Sequence, residues 1–480
     1  MDRPRIAIVG AGLAGLSAAE ALLRHHGSEI DIDLYEAKRS TGGRAGSFQD
    51  PHNGETVDYC QHVAMGCCTN LIALLQRCGL SADWDRYSEL EFRFAGYRPS
   101  QFAPSARLPA PLHLAKAFGA IKYLTPRQKI RIATGIWRLI RTPTKQLASE
   151  TALHWLSRQG QDAVCRERFW DVILVSALGE STQKVSMAAA RKVLVDGFLS
   201  ARGAPDVWVP AKPLSDLFGV RLTTGLQDLG ATVHTGRLVD RLHRREDGRV
   251  DPIVAGAPGD TADHVIVATP WHQCGDLLAN HLPHELTRSY RSIPASPITG
   301  VHLWFDREFT DRSHCVLVGS VSHWLFRRRD SQSDDRRKDS SQPRESNDRG
   351  VYYQVVISAS SEARAIPNDM LVERVLSELK QFFPAAGDAT LLRSRVVTDP
   401  RSVFSVRPEI EQIRPNTSTA LPWLHLAGDW IDTGWPATME GAVISGRLAA
   451  NSVSLQLKRG TIPIDAGLPR GWLAGQLIKP

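Results

Sequence analysis

Three glycines set between an apolar run and an alanine-rich one constrain this chain more than any other feature. Arg5-Ile-Ala-Ile-Val9 reads as a short strand and Gly10-Ala-Gly12-Leu-Ala-Gly15 as a tight turn opening a helix that is rich in Ala and Leu to Arg24. Ile30-Asp-Ile-Asp-Leu-Tyr35 then alternates as a half-buried strand does and closes on Glu36, 21 residues after the last glycine. This is a βαβ unit carrying a dinucleotide fingerprint. Gly10, Gly12 and Gly15 let backbone N–H groups approach a pyrophosphate, and the first helical turn, with Leu13 and Ala14, adds the positive end of the helix dipole. A carboxylate at Glu36 can accept hydrogen bonds from both hydroxyls of an adenosine ribose, which favours a ribose without a 2′-phosphate.

Further motifs bear on which dinucleotide. Gly42-Gly43-Arg44 follows so soon after the ribose acid that it suits a cofactor whose pyrophosphate and flavin side need a second cradle. Far downstream, Leu426-Ala-Gly428-Asp429 is again a strand ending in glycine and an acid, and the aspartate can bind a polyol hydroxyl such as the ribityl chain of FAD. A helix opening near Ala437–Ala442, through Met439, Gly441 and Ala442, can aim N–H groups at the flavin pyrimidine oxygen.

In this order along the chain, the motifs resemble the signature set of the amine oxidase and phytoene desaturase superfamily of FAD enzymes. The resemblance implies that Val239 contacts the adenine through its backbone and that His264–Trp271 forms the second flavin-domain strand and its turn. The expected fold class is α/β, a Rossmann-type FAD-binding domain with an interleaved α+β substrate domain. FAD-binding segments are expected at 1–91, 206–275 and 421–458, a mostly helical substrate and membrane-facing segment at 92–205, substrate-domain strands at 276–420, and a tail at 459–480. Within 276–420, residues 327–349 hold eight basic and six acidic side chains and nothing aliphatic or aromatic, so a disordered hairpin insertion is expected there.

Val57-Asp58-Tyr-Cys-Gln-His62-Val-Ala-Met-Gly66, Val209–Leu217 and the run Gly428–Gly441 resemble the squalene-associated flavoproteins, the hydroxysqualene dehydroxylases, although Tyr59-Cys60 stand where that group has Asn-Gly. That resemblance implies reduction of hydroxysqualene to squalene, with FAD as cofactor and a triterpenoid or isoprenoid lipid as substrate. An allylic hydroxyl leaves poorly unless protonated, so His62 or Asp58 is the candidate to supply or relay the proton. The alternative is a phytoene-type carotene desaturase, whose C-terminal motif is close. Amine oxidation would need an aromatic cage, for which Trp430 and Trp435 could be offered, and a non-catalytic flavin-binding scaffold is the remaining reading. Only one G-x-G-x-x-G fingerprint occurs, so a separate electron donor is expected.

Charge is distributed unevenly. From Phe92 to Ser149 there is no Asp or Glu among 11 Lys and Arg, in a chain whose net charge is +7. Ile130, Thr134, Trp137 and Ile140 fall at helical spacing there, so basic amphipathic helices are expected, either core-facing or touching a membrane surface. No recognition module accompanies the charge, which speaks against nucleic acid. Seven cysteines without a C-x-x-C pair suggest a reduced chain without a structural zinc or other metal. No run of 18 apolar residues and no secretory leader precede or interrupt the fingerprint, so the expected location is cytoplasmic, with peripheral contact on the inner face of the cytoplasmic membrane.

Overall fold

The computed structural model describes residues 3–328 and 350–479. Its centre is a five-stranded parallel sheet in the order Ala231–Thr235, Asp31–Glu36, Arg5–Val9, His264–Val267, Leu424–Leu426. The inner strands are buried along nearly their whole length, Ile6, Ala7 and Ile8 completely so. A parallel sheet covered on both faces produces that pattern. The helices Leu13–His26 and Met439–Gln456 lie together on the sheet, and Gly446 makes their contact possible, since a Cβ there would stand 2.2 Å from the Ala14 carbonyl oxygen. A small antiparallel sheet of Val239–Arg244, Val250–Val254 and Ala257–Pro258 is attached between the third and fourth of these strands in chain order.

A second, mixed sheet of seven strands runs Leu391–Phe404, Ala295–Phe305, Val351–Ile357, Trp324–Arg327, His314–Val318, Leu90–Phe94, Ser100–Phe102. One face packs on the helix Asn368–Phe382, where Leu371, Val375 and Leu379 meet Val301, Leu303, Tyr353 and Val355. The stretch from residue 92, read as helical from its sequence, begins in this sheet, because Phe92–Phe94 pair in parallel with Val316–Val318. Helices follow, including Pro126–Arg141, Ala152–Arg158 and Met187–Leu194. The expected disordered insertion falls on residues that, from 329 to 349, lie outside the described ones. Its first two residues are ordered: Arg327 ends a strand and pairs with Glu308, while Arg328 pairs with Glu55 at 2.9 Å. The tail contains a helix, Trp472–Leu477.

No helix among the described residues is long and apolar enough to cross a membrane. All seven cysteines are free thiols. Asp33, His234 and Asp260 bring their ligand atoms within 4.8 Å of one another at the edge of the parallel sheet. Arg5 pairs with both carboxylates of that cluster, 3.1 Å from Asp260 and 3.8 Å from Asp33.

Candidate active site

The glycine motifs meet at the carboxyl end of the parallel sheet. Gly10 has φ +105°, and a Cβ on it would stand 2.7 Å from the Ala268 carbonyl oxygen, so only glycine lets the first strand turn so close to the fourth. The Gly42 N–H donates to the Ala11 carbonyl at 2.8 Å, and a Cβ on Gly43 would stand 3.0 Å from the Gly12 Cα. Gly10–Gly15 and Gly42–Gly43 thus form one backbone-lined wall. Leu13 and Ala14 are the buried first residues of the helix behind it. Glu36 is buried at the end of its strand, its carboxylate accepting the Ala11 N–H and the Lys38 N–H, both at 2.9 Å. The Arg237 N–H donates to the Glu36 carbonyl at 2.8 Å, which places Val239 at the start of its strand, two residues on.

The far end of the chain closes the cradle. The Gly428 N–H donates to Ser445 Oγ at 2.8 Å, and Asp429 accepts from Arg44 at 2.5 Å. Arg44 also donates to the Ser402 carbonyl at 2.7 Å, so the arginine links the wall, the last strand and the seven-stranded sheet. Thr438 caps the helix that begins with Met439, accepting the Gly441 N–H at 3.1 Å, with Ala442 in the same turn. Between the first and last glycine turns, Thr269 presents a buried hydroxyl without a hydrogen-bond partner among the described residues. An orphaned buried hydroxyl among close-packed glycines, a buried acid and two helix starts fits a dinucleotide that supplies the missing partners. Glu440 stands in the same motif, but nothing in the sequence marks its role. Its buried carboxylate accepts the Asn70 and Leu71 N–H groups at 3.0 and 2.8 Å and caps the helix Thr69–Arg77.

Asp58 and His62 leave the hairpin of Ser47–Gln49 and Thr56–Asp58 and face different surroundings. Asp58 Oδ1 accepts the Ser47 hydroxyl at 2.6 Å and the Leu214 N–H at 2.8 Å. Burial pushes its carboxyl up from 3.8 to about 6, against the opposing pull of those two donors and Arg328. It lines a cavity of about 80 Å³ with Gln61, Tyr87, Lys212, Tyr352 and Gln354, large enough for water. His62 instead lies within electrostatic reach of Arg44, with Nδ1 2.9 Å from the Cys60 carbonyl. Burial lowers its pKa, the Cys60 carbonyl opposes that, and Arg44 lowers it further, so the imidazole is neutral at pH 7.

Three residues of the seven-stranded sheet hold this segment, none of them evident from the sequence. Gln354 Oε1 accepts the Gln61 N–H at 2.6 Å, and its amide nitrogen donates to the Asp58 carbonyl at 3.3 Å. Its register partner across the sheet, His302, hydrogen-bonds the Tyr352 hydroxyl through Nδ1 at 2.8 Å. Alternation along the strand puts Tyr352 and Gln354 on the face opposite Tyr353 and Val355. The close approach requires Gly300, where a Cβ would stand 2.9 Å from the Tyr59 carbonyl oxygen. The two tryptophans offered for an aromatic cage do not form one. Trp430 is fully buried, donates to the Thr269 carbonyl at 3.1 Å and packs on Tyr290, while the Trp435 ring faces Lys192.

Comparison with known proteins agrees with this geometry. The family model of the flavin containing amine oxidoreductases matches residues 13–454. The 15-cis-phytoene desaturase, chloroplastic/chromoplastic, of Narcissus pseudonarcissus is 27% identical over 93% of this chain and 79% of its own length. A probable zeta-carotene desaturase of Synechococcus elongatus is 24% identical over 94% of this chain and 98% of its own. Among solved structures, an oxidoreductase from Methanosarcina mazei superposes with TM-score 0.67 at 16% identity, covering 92% of this chain and 98% of that one. Cyclohexylamine oxidase from Brevibacterium oxydans superposes with TM-score 0.63 at 18% identity, covering 95% and 100%. These structures share the fold.

Proposed function

The chain belongs to the flavin containing amine oxidoreductase family and is an FAD-dependent oxidoreductase; on that premise we propose that it reduces hydroxysqualene to squalene. The observation that supports this reading is Asp58, a carboxyl held near pKa 6 beside a water-sized cavity. Removing an allylic hydroxyl needs a proton donor, and a carboxyl tuned upward remains partly protonated close to neutrality. Gly10, Gly12, Leu13, Ala14, Gly15, Gly42 and Gly43 would hold the pyrophosphate side of FAD, Glu36 the ribose and Val239 the adenine. Arg44 and Asp429 would hold the ribityl side, with Met439, Gly441 and Ala442 at the flavin ring. When bound in its reduced form, FAD supplies the hydride.

The chain's own residues do the rest. Asp58 gives its proton to the hydroxyl oxygen, which leaves as water, and regains one from solvent through the cavity lined by Lys212 and Tyr352. His62, neutral and beside Arg44, orients the reacting end and can relay a proton. Gln354 fixes the backbone between them. The net change is ROH plus hydride plus a proton giving RH plus water. Electrons come from a separate donor, and the proposed location is cytoplasmic. Carotene desaturation is the second reading, favoured by the relatives named above. Anaerobic addition of hydroxysqualene to the reduced protein tests the choice. Flavin reoxidation with stoichiometric squalene is the expected result. No reoxidation, together with phytoene conversion by the oxidised protein, would establish the desaturase instead.

A further inference from the structure

The helix Pro126–Arg141 is fixed by a complete capping box at Thr125 and Gln128 and by Pro126 in its first turn. Ile132, Gly135, Leu139 and Ile140 are buried, so Ile140 does not share a face with Ile130, Thr134 and Trp137 as its spacing suggests. The outward face is unusual for a helix in water. Ile130 is 69% exposed and Trp137 49% exposed, flanked at helical spacing by Arg127, Arg131, Arg138 and Arg141. Arg131 contacts Asp162, whereas Arg138 reaches the Gln159 side chain and Arg141 the Leu477 carbonyl. An outward face that alternates large apolar side chains with arginines has the composition of an interfacial helix.

The C-terminal helix continues this surface. Ala474 and Ile478 are buried in a small satellite core with Ala110, Leu114 and Ile140. The Lys479 N–H donates to the Ile140 carbonyl at 2.9 Å, tying the C-terminal segment to the end of the arginine helix. Trp472 projects from it, 69% exposed, and Leu108 and Leu112 are exposed on the loop that enters the same core. Trp137 and Trp472 are the two most exposed tryptophans among the described residues, and both stand around this one cluster. Tryptophan and arginine side chains suit the boundary between headgroups and acyl chains, where an apolar body and a polar end are both accommodated.

We propose that these two helices and the 105–114 loop form a docking surface for an anionic lipid bilayer. Charge complementarity selects that occupant, because these elements carry six basic side chains, Arg107, Arg127, Lys129, Arg131, Arg138 and Arg141, and no acid. Protruding single side chains insert among lipids, whereas a nucleic acid strand needs a groove with stacked aromatic platforms. The proposal rests on the isoprenoid reading only for what would cross the surface.

Co-sedimentation of the flavin-loaded full chain with phosphatidylserine/phosphatidylcholine vesicles tests it without substrate, so its failure and that of the dehydroxylase reading are separate. Binding is expected to weaken as salt rises and to vanish on pure phosphatidylcholine. Each arginine near an anionic surface contributes about fivefold, so the pair R127Q/R138Q should lower partitioning by about 25-fold. W137A/W472A, which removes half-inserted rings, should lower it by about tenfold or more. L286A/R288Q, an apolar and basic pair exposed on a different helix, should bind as the unaltered protein does. Equal loss in that control, salt-independent binding, or binding of single-stranded RNA in place of vesicles would overturn the proposal. Retained flavin absorbance establishes that each variant is folded.

Discussion

Replacing Asp58 by asparagine separates two roles that one carboxyl carries. Its pKa is raised from 3.8 to about 6 by burial, against the pull of Ser47, Leu214 and Arg328. The folded chain therefore binds more protons than the unfolded one between about pH 4 and 6. Stability is full below that window and falls as pH rises through it. Two units at about 1.4 kcal/mol each set a ceiling near 3 kcal/mol at pH 7.5, and about a third of that at pH 4.5. Because the side chain is partly exposed, about half of each figure is expected, ~1.5 and ~0.5 kcal/mol. An asparagine at this position would keep an oxygen for the Ser47 hydroxyl and Leu214 N–H and carry no charge. D58N should thus be more stable than the unaltered protein by ~1.5 kcal/mol at pH 7.5 and by ~0.5 kcal/mol at pH 4.5. Urea unfolding at the two pH values reads both numbers. A gain that does not change with pH, or a loss at pH 7.5, would refute the reasoning. Turnover should move the opposite way. Without the proton, oxidation of the reduced flavoprotein by hydroxysqualene should slow by at least about 100-fold.

The remaining predictions are structural and mechanistic. G446A places a Cβ against the Ala14 carbonyl and should cost about 1–3 kcal/mol by forcing the two helices apart, read as a lower urea midpoint and reduced flavin content. E440A leaves two helix-opening N–H groups and one N–H of the Asn70 amide without their acceptor, and should cost about 2–4 kcal/mol in the same unfolding assay. H62A should keep its flavin yet lower single-turnover squalene formation by roughly 10- to 100-fold, and near-normal rates would remove His62 from the mechanism. D429A should weaken FAD, measured by fluorescence titration of the apoprotein, by about tenfold or more, since it also frees the Arg44 charge.

What the sequence discloses follows from what is local. The strand, glycine turn and helix at residues 5–26 can be read directly because apolar alternation, φ above zero at Gly10 and helix-forming Ala and Leu all act within a few residues. The helix expected to open near Ala437–Ala442 runs Met439–Gln456 for the same reason. Gln354 cannot be found this way. A lone glutamine in a strand gives no sign that it reaches Gln61, 293 residues earlier. Asp58 is visible as an acid in a motif, but its partners Ser47 and Leu214 and its cavity arise only when three segments meet. Trp430 shows the converse, since its neighbours in sequence suggest a site and its packing on Tyr290 makes it core.

The cradle is assembled from both ends of the polypeptide, and this has a consequence for how the protein is made. Leu424–Leu426 supplies the fifth strand of the parallel sheet, and Gly446 seats the last long helix against the first. A ribosome-bound chain therefore carries the completed Gly10–Gly15 turn for more than 400 residues of synthesis before its closing partner exists. Loop closure over that span is slow, and the face of Leu13–His26 that meets Met439–Gln456 stays uncovered meanwhile. Cofactor capture is therefore expected only after residues 424–456 have been made. Truncations that remove only the final tenth of the chain should abolish flavin retention as completely as loss of the fingerprint itself, and fusion partners at the C-terminus should delay it.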